Sequence, residues 1–125
     1  MLQNTLQVRA DVTAIGLAAL CAAHCLLVPI LLVLSPQFSQ SLLADEHVHQ
    51  WLLMITLPLS SLALLSGCQH HKKRGLLVIA AAAIALLILA IFSHDFGGHW
   101  LETSLTLAGS LLLISVHIMN HRLCK

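Results

Sequence analysis

Two thiols and an imidazole fall close together in the run Cys21-Ala22-Ala23-His24-Cys25-Leu26-Leu27-Val28-Pro29. On a helix, Cys21, His24 and Cys25 project within an arc of about 100°. Thiolate and imidazole together suit Zn²⁺, Cu⁺ and other soft or borderline ions, and mercury prefers paired sulfur. Mg²⁺ and Ca²⁺ want oxygen donors and are poorly served. Pro29 cannot donate a backbone hydrogen bond to the carbonyl of Cys25, so a kink and a free carbonyl are expected beside these side chains. A lone Cys in such a segment would read as a small hydrophobe. A histidine flanked by two cysteines in an apolar stretch reads instead as a metal-binding face, because ionisable groups inside a membrane are costly and usually functional.

A second set of polar residues recurs near the C-terminus. Measured around a helix from Glu102, Thr106, Gly109, His117, Asn120 and Cys124 all lie within about 60°. Apart from Leu113 this face is polar or small, while the opposite face is leucine-rich. A polar stripe of this kind needs protein or water beside it, which predicts that it faces the first helix. With Asp11 taken as the start of the span, His24 and His117 differ in depth by about 12 Å and Cys21 and His117 by about 7 Å. Staggered stations are therefore expected rather than one closed site, and conduction needs sites an ion can leave.

The elements that carry these groups follow from composition. Of 125 residues, 58% are hydrophobic and 9% charged, against about 25% charged in a soluble domain. Lipid must be the solvent for much of this chain. A span needs about 20 apolar residues. Four segments qualify, at about 13–34, 51–68, 75–93 and 100–120. Short connectors make neighbours antiparallel, so residues 1–125 are expected to form a single all-α domain, a four-transmembrane-helix bundle. Pro29 in a long apolar stretch, with Leu20 before Cys21, argues for a retained first helix rather than a cleaved signal or lipoprotein site.

Charge placement orients the bundle. Arg9, Lys72, Lys73, Arg74, Arg122 and Lys125 all fall on one side of a four-span arrangement. Asp45, Glu46, Asp95 and Glu102 fall on the other. The positive-inside rule then predicts an N-in/C-in topology, with Trp51 and Trp100 at the outer interface. His47, His49, His94 and His99 join those acidic groups in a plausible ion-collecting outer face. His70, His71 and His121, with Cys68 and Cys124, lie at the inner face.

These features resemble the MerC family of bacterial inner-membrane proteins. The resemblance is carried by Cys21-x-x-His24-Cys25-x-x-x-Pro29, by His49-x-Trp51, and by Gly67 with the basic His70-His71 turn. In the fourth helix it continues through Glu102, Gly109 and His117-x-x-Asn120-x-x-x-Cys124. It covers nearly the whole chain. The resemblance implies mercuric-ion uptake across the bacterial inner membrane and delivery to a cytoplasmic metal acceptor or reductase, with Cys21 and Cys25 as the thiol pair. Cys21, His24, Cys25, His49, Glu102, His117 and Cys124 are then the candidate metal ligands, and Pro29, Gly109 and Asn120 structural positions. The mercury-resistance type spaces its pair as Cys-x-x-Cys, whereas here a histidine intervenes, which keeps Zn²⁺ as an alternative cargo.

The expected partners are thus the lipid bilayer, the transported Hg²⁺ or Zn²⁺, and a cytoplasmic acceptor. No permanent cofactor, nucleic acid or enzymatic activity is expected. No nucleotide-binding loop is present, which argues against ATP-driven pumping by this chain. A membrane thiol oxidoreductase, a haem protein ligated by His24 and His117, and a metal sensor are the competing classes. The first would want a Cys-x-x-Cys pair near the surface, and the depth mismatch opposes the second.

Overall fold

The computed structural model describes residues 2–40, 45–71 and 73–123. It is all-helical. Helix α1 spans Leu2–Leu34, a short 3-10 turn covers Pro36–Gln40, α2 spans Glu46–His71, and α3 spans Arg74–Leu123. Within α3, Gly98 takes φ 67 and ψ −173. This conformation is open essentially to glycine alone, and it folds α3 into two limbs, residues 74–97 and 99–123. Four helical stretches are long and apolar enough to cross a membrane: Thr5–Leu34, His47–Ser66, Arg74–Ser93 and Asp95–Leu123. Helices suit that solvent because each backbone group is satisfied within its own segment.

The two limbs of α3 pack as an antiparallel hairpin. A Cβ on Gly109 would meet the Leu87 side chain at 2.9 Å and the Ala83 carbonyl at 3.1 Å, and Leu87 and Gly109 stand equally far from Gly98. The missing side chain lets the limbs close, the usual use of small residues between membrane helices. Gly97 is equally tight against the Leu101 side chain.

Antiparallel pairing of α1 with α2 is set by Gln7 against Ala63, Cys21 against Thr56, and Cys25 against His49. The second limb of α3 also runs antiparallel to α1, with Asp11 against His117 and Asn120. The stripe of the fourth span therefore does face the first helix. The core is built from Ala14, Ala18, Cys21, Leu53, Leu87 and Leu113, while Val33, Leu62, Val78 and Leu111 point outward. Outward leucine and valine meet lipid rather than water, which is why so much apolar exposure is tolerated.

Arg9, Lys73, Arg74 and Arg122 gather where α1 begins and α2 and α3 end. Asp45, Asp95, Glu102 and the exposed Trp51 and Trp100 lie at the opposite end. These are called below the basic end and the acidic end. Asp45 caps α2: its Oδ1 accepts from the His47 backbone N–H at 2.9 Å and pairs with His47 Nδ1 at 2.7 Å. Those bonds hold the Asp45 carboxyl below its usual range.

Two sequence expectations change. The first helix begins at Leu2 rather than near Thr13, and Asp11, taken as a marker of the aqueous boundary, lies fully buried within it. The carboxylate survives there because neighbouring helices supply it with donors. Pro29 lies inside α1, which stays helical to Leu34. The expected connector 93–99 is itself helical except at Gly98, so the third and fourth spans are joined by a one-residue corner.

Candidate metal centre

Both thiols on α1 turn inward: Cys21 is fully buried and Cys25 is 8% exposed. They are free thiols. The first turns of α2 carry His49 into the same space. Cys25 Sγ lies 3.3 Å from His49 Nδ1. The other ring nitrogen, Nε2, is 3.3 Å from Thr106 Oγ1 and 3.6 Å from Glu102 Oε1. One imidazole thus ties together α1, α2 and the second limb of α3. Glu102 stands near the acidic end with its side chain 15% exposed, so the cluster runs from that carboxylate inward to the Cys25 thiol.

Cys21 sits one turn further toward the basic end, with Sγ 3.7 Å from Thr56 Oγ1. The Thr56 hydroxyl donates to the Leu52 carbonyl at 2.7 Å. Its single proton is therefore used, and the Cys21 thiol is the donor in the Cys21–Thr56 pair. His24 lies beside the cluster, with its ring centroid 6.2 Å from that of His49.

A second buried polar group lies toward the basic end. The Asp11 carboxylate accepts from His117 Nδ1 at 2.8 Å. Asn120 Nδ2 donates to both of its oxygens at 2.9 Å, and Gln7 Nε2 to Oδ2 at 3.2 Å. Asp11, His117 and Asn120 are all fully buried.

The sequence-derived set thus divides. Cys25, His49 and Glu102 come together, with Cys21 and His24 adjoining. His117 and Asn120 belong to the separate Asp11 group. Gly109 serves the hairpin contact. Cys124 lies outside the described residues, as do the side chains of Cys68, His70, His71 and His94. Among the described residues no three Cys, His, Asp or Glu side chains converge closely enough to enclose a metal ion.

Sequence reasoning missed Asp11 and Thr56. For Asp11 a signal was present: it continues the inward face 11, 14, 18, 21, 25 that holds Ala14, Ala18, Cys21 and Cys25. Its charge outweighed its spacing. Thr56 had no such signal, because threonine in a membrane helix commonly satisfies itself on its own backbone.

A family model described as MerC mercury resistance protein matches residues 11–122. The chain belongs to the MerC family. The match takes in both buried polar groups, and with the four apolar helices it makes this a membrane protein of a mercury resistance family. No curated protein and no solved structure matches the chain.

Proposed function

We propose that this chain carries a soft metal ion, mercuric ion foremost, across the bacterial inner membrane from the acidic end to the basic end. The termini then lie in the cytoplasm, in keeping with the basic residues gathered there. The observation that carries the reading is the buried Cys25–His49 contact at 3.3 Å, with a second free thiol, Cys21, one turn deeper.

A thiol must lose its proton to bind a metal ion. When Hg²⁺ reaches Cys25, the S–H proton passes to His49 Nδ1 as the S–Hg bond forms. Glu102 beside Nε2 stabilises the imidazolium and faces the acidic end. Cys21 then displaces the anionic ligand the ion brought with it, and the Cys21 proton leaves with that ligand. Cβ atoms at i and i+4 of a helix stand about 5–6 Å apart, a span that one two-coordinate ion can bridge between sulfurs.

The donor count favours mercury over zinc. A closed zinc site wants four ligands in tetrahedral array, whereas among the described residues no three acidic, thiol or imidazole groups stand close enough to enclose an ion. A two-coordinate ion asks only for the thiol pair. In this reading the chain is a carrier rather than an enzyme, and a cytoplasmic acceptor or reductase receives the ion.

The test is uptake of Hg²⁺ by intact cells expressing the full chain. Changing Cys21→Ser and Cys25→Ser together is expected to reduce uptake to the level of cells lacking the protein. Uptake equal to that of the unaltered chain, at equal abundance in the membrane, overturns the reading.

A further inference from the structure

The Asp11 group is not needed to hold an ion on the thiol pair, yet it buries a carboxylate, an imidazole and an amide in the bundle, with the Gln7 amide half-buried beside them. Its bonding pattern fixes the state of His117. A carboxylate oxygen only accepts, and Asp11 Oδ1 lies 2.8 Å from His117 Nδ1, so that nitrogen carries the proton. The amide donors of Asn120 and Gln7 occupy the remaining carboxylate positions. In the neutral ring, Nε2 is then a bare lone pair. It is fully buried and has no hydrogen-bond partner. A carboxylate behind one ring nitrogen with the other left as a lone pair is how proteins prepare a histidine to bind a metal ion.

A second observation points the same way. Hydroxyls elsewhere in these helices turn back onto their own backbone: Thr13, Thr56, Ser61, Ser93, Ser104 and Ser115 each donate to a carbonyl of the preceding turn. Ser60 and Ser110 are fully buried and do not; their oxygens have no partner. Ser60 stands one turn beyond Thr56 toward the basic end, on the way to Ala63 beside Gln7. Ser110 stands one turn beyond Thr106 and two turns before His117, on the same face. Both serines therefore occupy the depth between the thiols and the Asp11 group. Unpartnered buried hydroxyls cost free energy, and oxygens held this way can solvate a passing cation.

We propose that His117 Nε2 is a second station for the transported two-coordinate soft cation, built on an imidazole with no thiol beside it among the described residues, and that Asp11 is its positioning residue. The inference rests on the carrier reading for its direction of travel. One imidazole leaves the second coordination position of such an ion open to a thiol of an acceptor arriving from the basic end. To reach this station the ion leaves both protein sulfurs: each S–Hg bond breaks as its sulfur regains a proton, one from the His49 imidazolium and one from solvent at the acidic end. The station therefore makes release a ligand exchange: an acceptor thiol gives up its proton, its sulfur bonds to the ion, and the Nε2 bond breaks to leave a neutral imidazole. The thiol proton goes to solvent at the basic end.

The test uses the full chain in detergent micelles with ¹⁵N-labelled histidine. All four cysteines are changed to serine, and a His117→Gln variant assigns the resonance. His117 is expected to be protonated at Nδ1 and bare at Nε2, the reverse of the form that prevails for imidazole in water. Added Hg²⁺ should shift the Nε2 signal, and Asp11→Asn should weaken that response by about 10–100-fold. Asp11→Glu should restore part of it. A proton on Nε2, or an Nε2 signal indifferent to Hg²⁺, overturns the proposal. The cell-uptake assay of the thiol variants is independent of it. Thiol-dependent uptake with a silent His117 sinks the second station and leaves the carrier reading standing. A responsive His117 with thiol-independent uptake does the opposite.

Discussion

Cys25 Sγ and His49 Nδ1 stand 3.3 Å apart, on different helices and 24 positions apart in the chain. This contact turns a face of α1 into a site. It gives the Cys25 thiol a directly contacting acceptor for its proton inside an apolar bundle, where a separated charge is expensive. His49→Gln keeps the size and polarity of the side chain but cannot accept that proton. It is expected to slow initial Hg²⁺ uptake by about 10–100-fold, the effect usual for groups that orient or tune a metal ligand. Uptake rates normalised to protein in the membrane check this, and an unchanged rate would remove His49 from the mechanism.

The α3 hairpin depends on a missing side chain. Gly109→Ala places a methyl group 3.1 Å from the Ala83 carbonyl oxygen, which cannot swing aside as a side chain could. The expected cost is about 1–3 kcal/mol, the range for overpacking, read as a lower thermal midpoint in detergent. Gly16→Ala is the control: nothing lies within 4 Å of the added carbon, and alanine favours helix by about 1 kcal/mol. It should be neutral or stabilising.

Gly98 is a different case, since open space surrounds it and only its backbone is demanding. At φ 67 and ψ −173 any L side chain is strained. Gly98→Ala is expected to cost about 1–3 kcal/mol, and denaturation in mixed micelles measures it. Equal stability of the variant would show that the corner can be redrawn.

Asp45 ties the start of α2, and with it His49, to the acidic end. Its carboxyl is held below the usual value of 3.8 by the His47 backbone and side chain. A depressed carboxyl stabilises the fold above its unfolded value, and the contribution is lost as pH falls through the lower folded value. The cap should therefore be intact at neutral pH and weaken only below about pH 4. Asp45→Asn retains a capping oxygen and should remove that acid sensitivity with little loss at pH 7, whereas Asp45→Ala should loosen the first turn of α2 at every pH. Amide hydrogen exchange at His47 and Val48 reads both outcomes.

Much of this protein is legible one residue at a time. Apolar runs long enough to cross a bilayer, the Leu-rich outward faces, and the separation of basic from acidic ends all follow from local composition, because lipid forces helices and helices have a fixed length per residue. The inward face of Cys21 and Cys25 was equally plain from spacing. What spacing could not supply was the partner across the bundle. That His49 meets Cys25, that Thr56 meets Cys21, and that His117 belongs with Asp11 are facts of how the helices rotate and slide against one another.

Asp11 marks that boundary most sharply. As a lone charge it announces water. Only after α3 has packed against α1, bringing the donors of Asn120 and His117 to join that of Gln7, can a carboxylate remain inside. Local sequence decided which segments cross the bilayer, because burial of apolar side chains is a property of each segment. Tertiary structure decided which polar groups those segments hold in common, because a buried charge is stable only when other helices complete its hydrogen bonds.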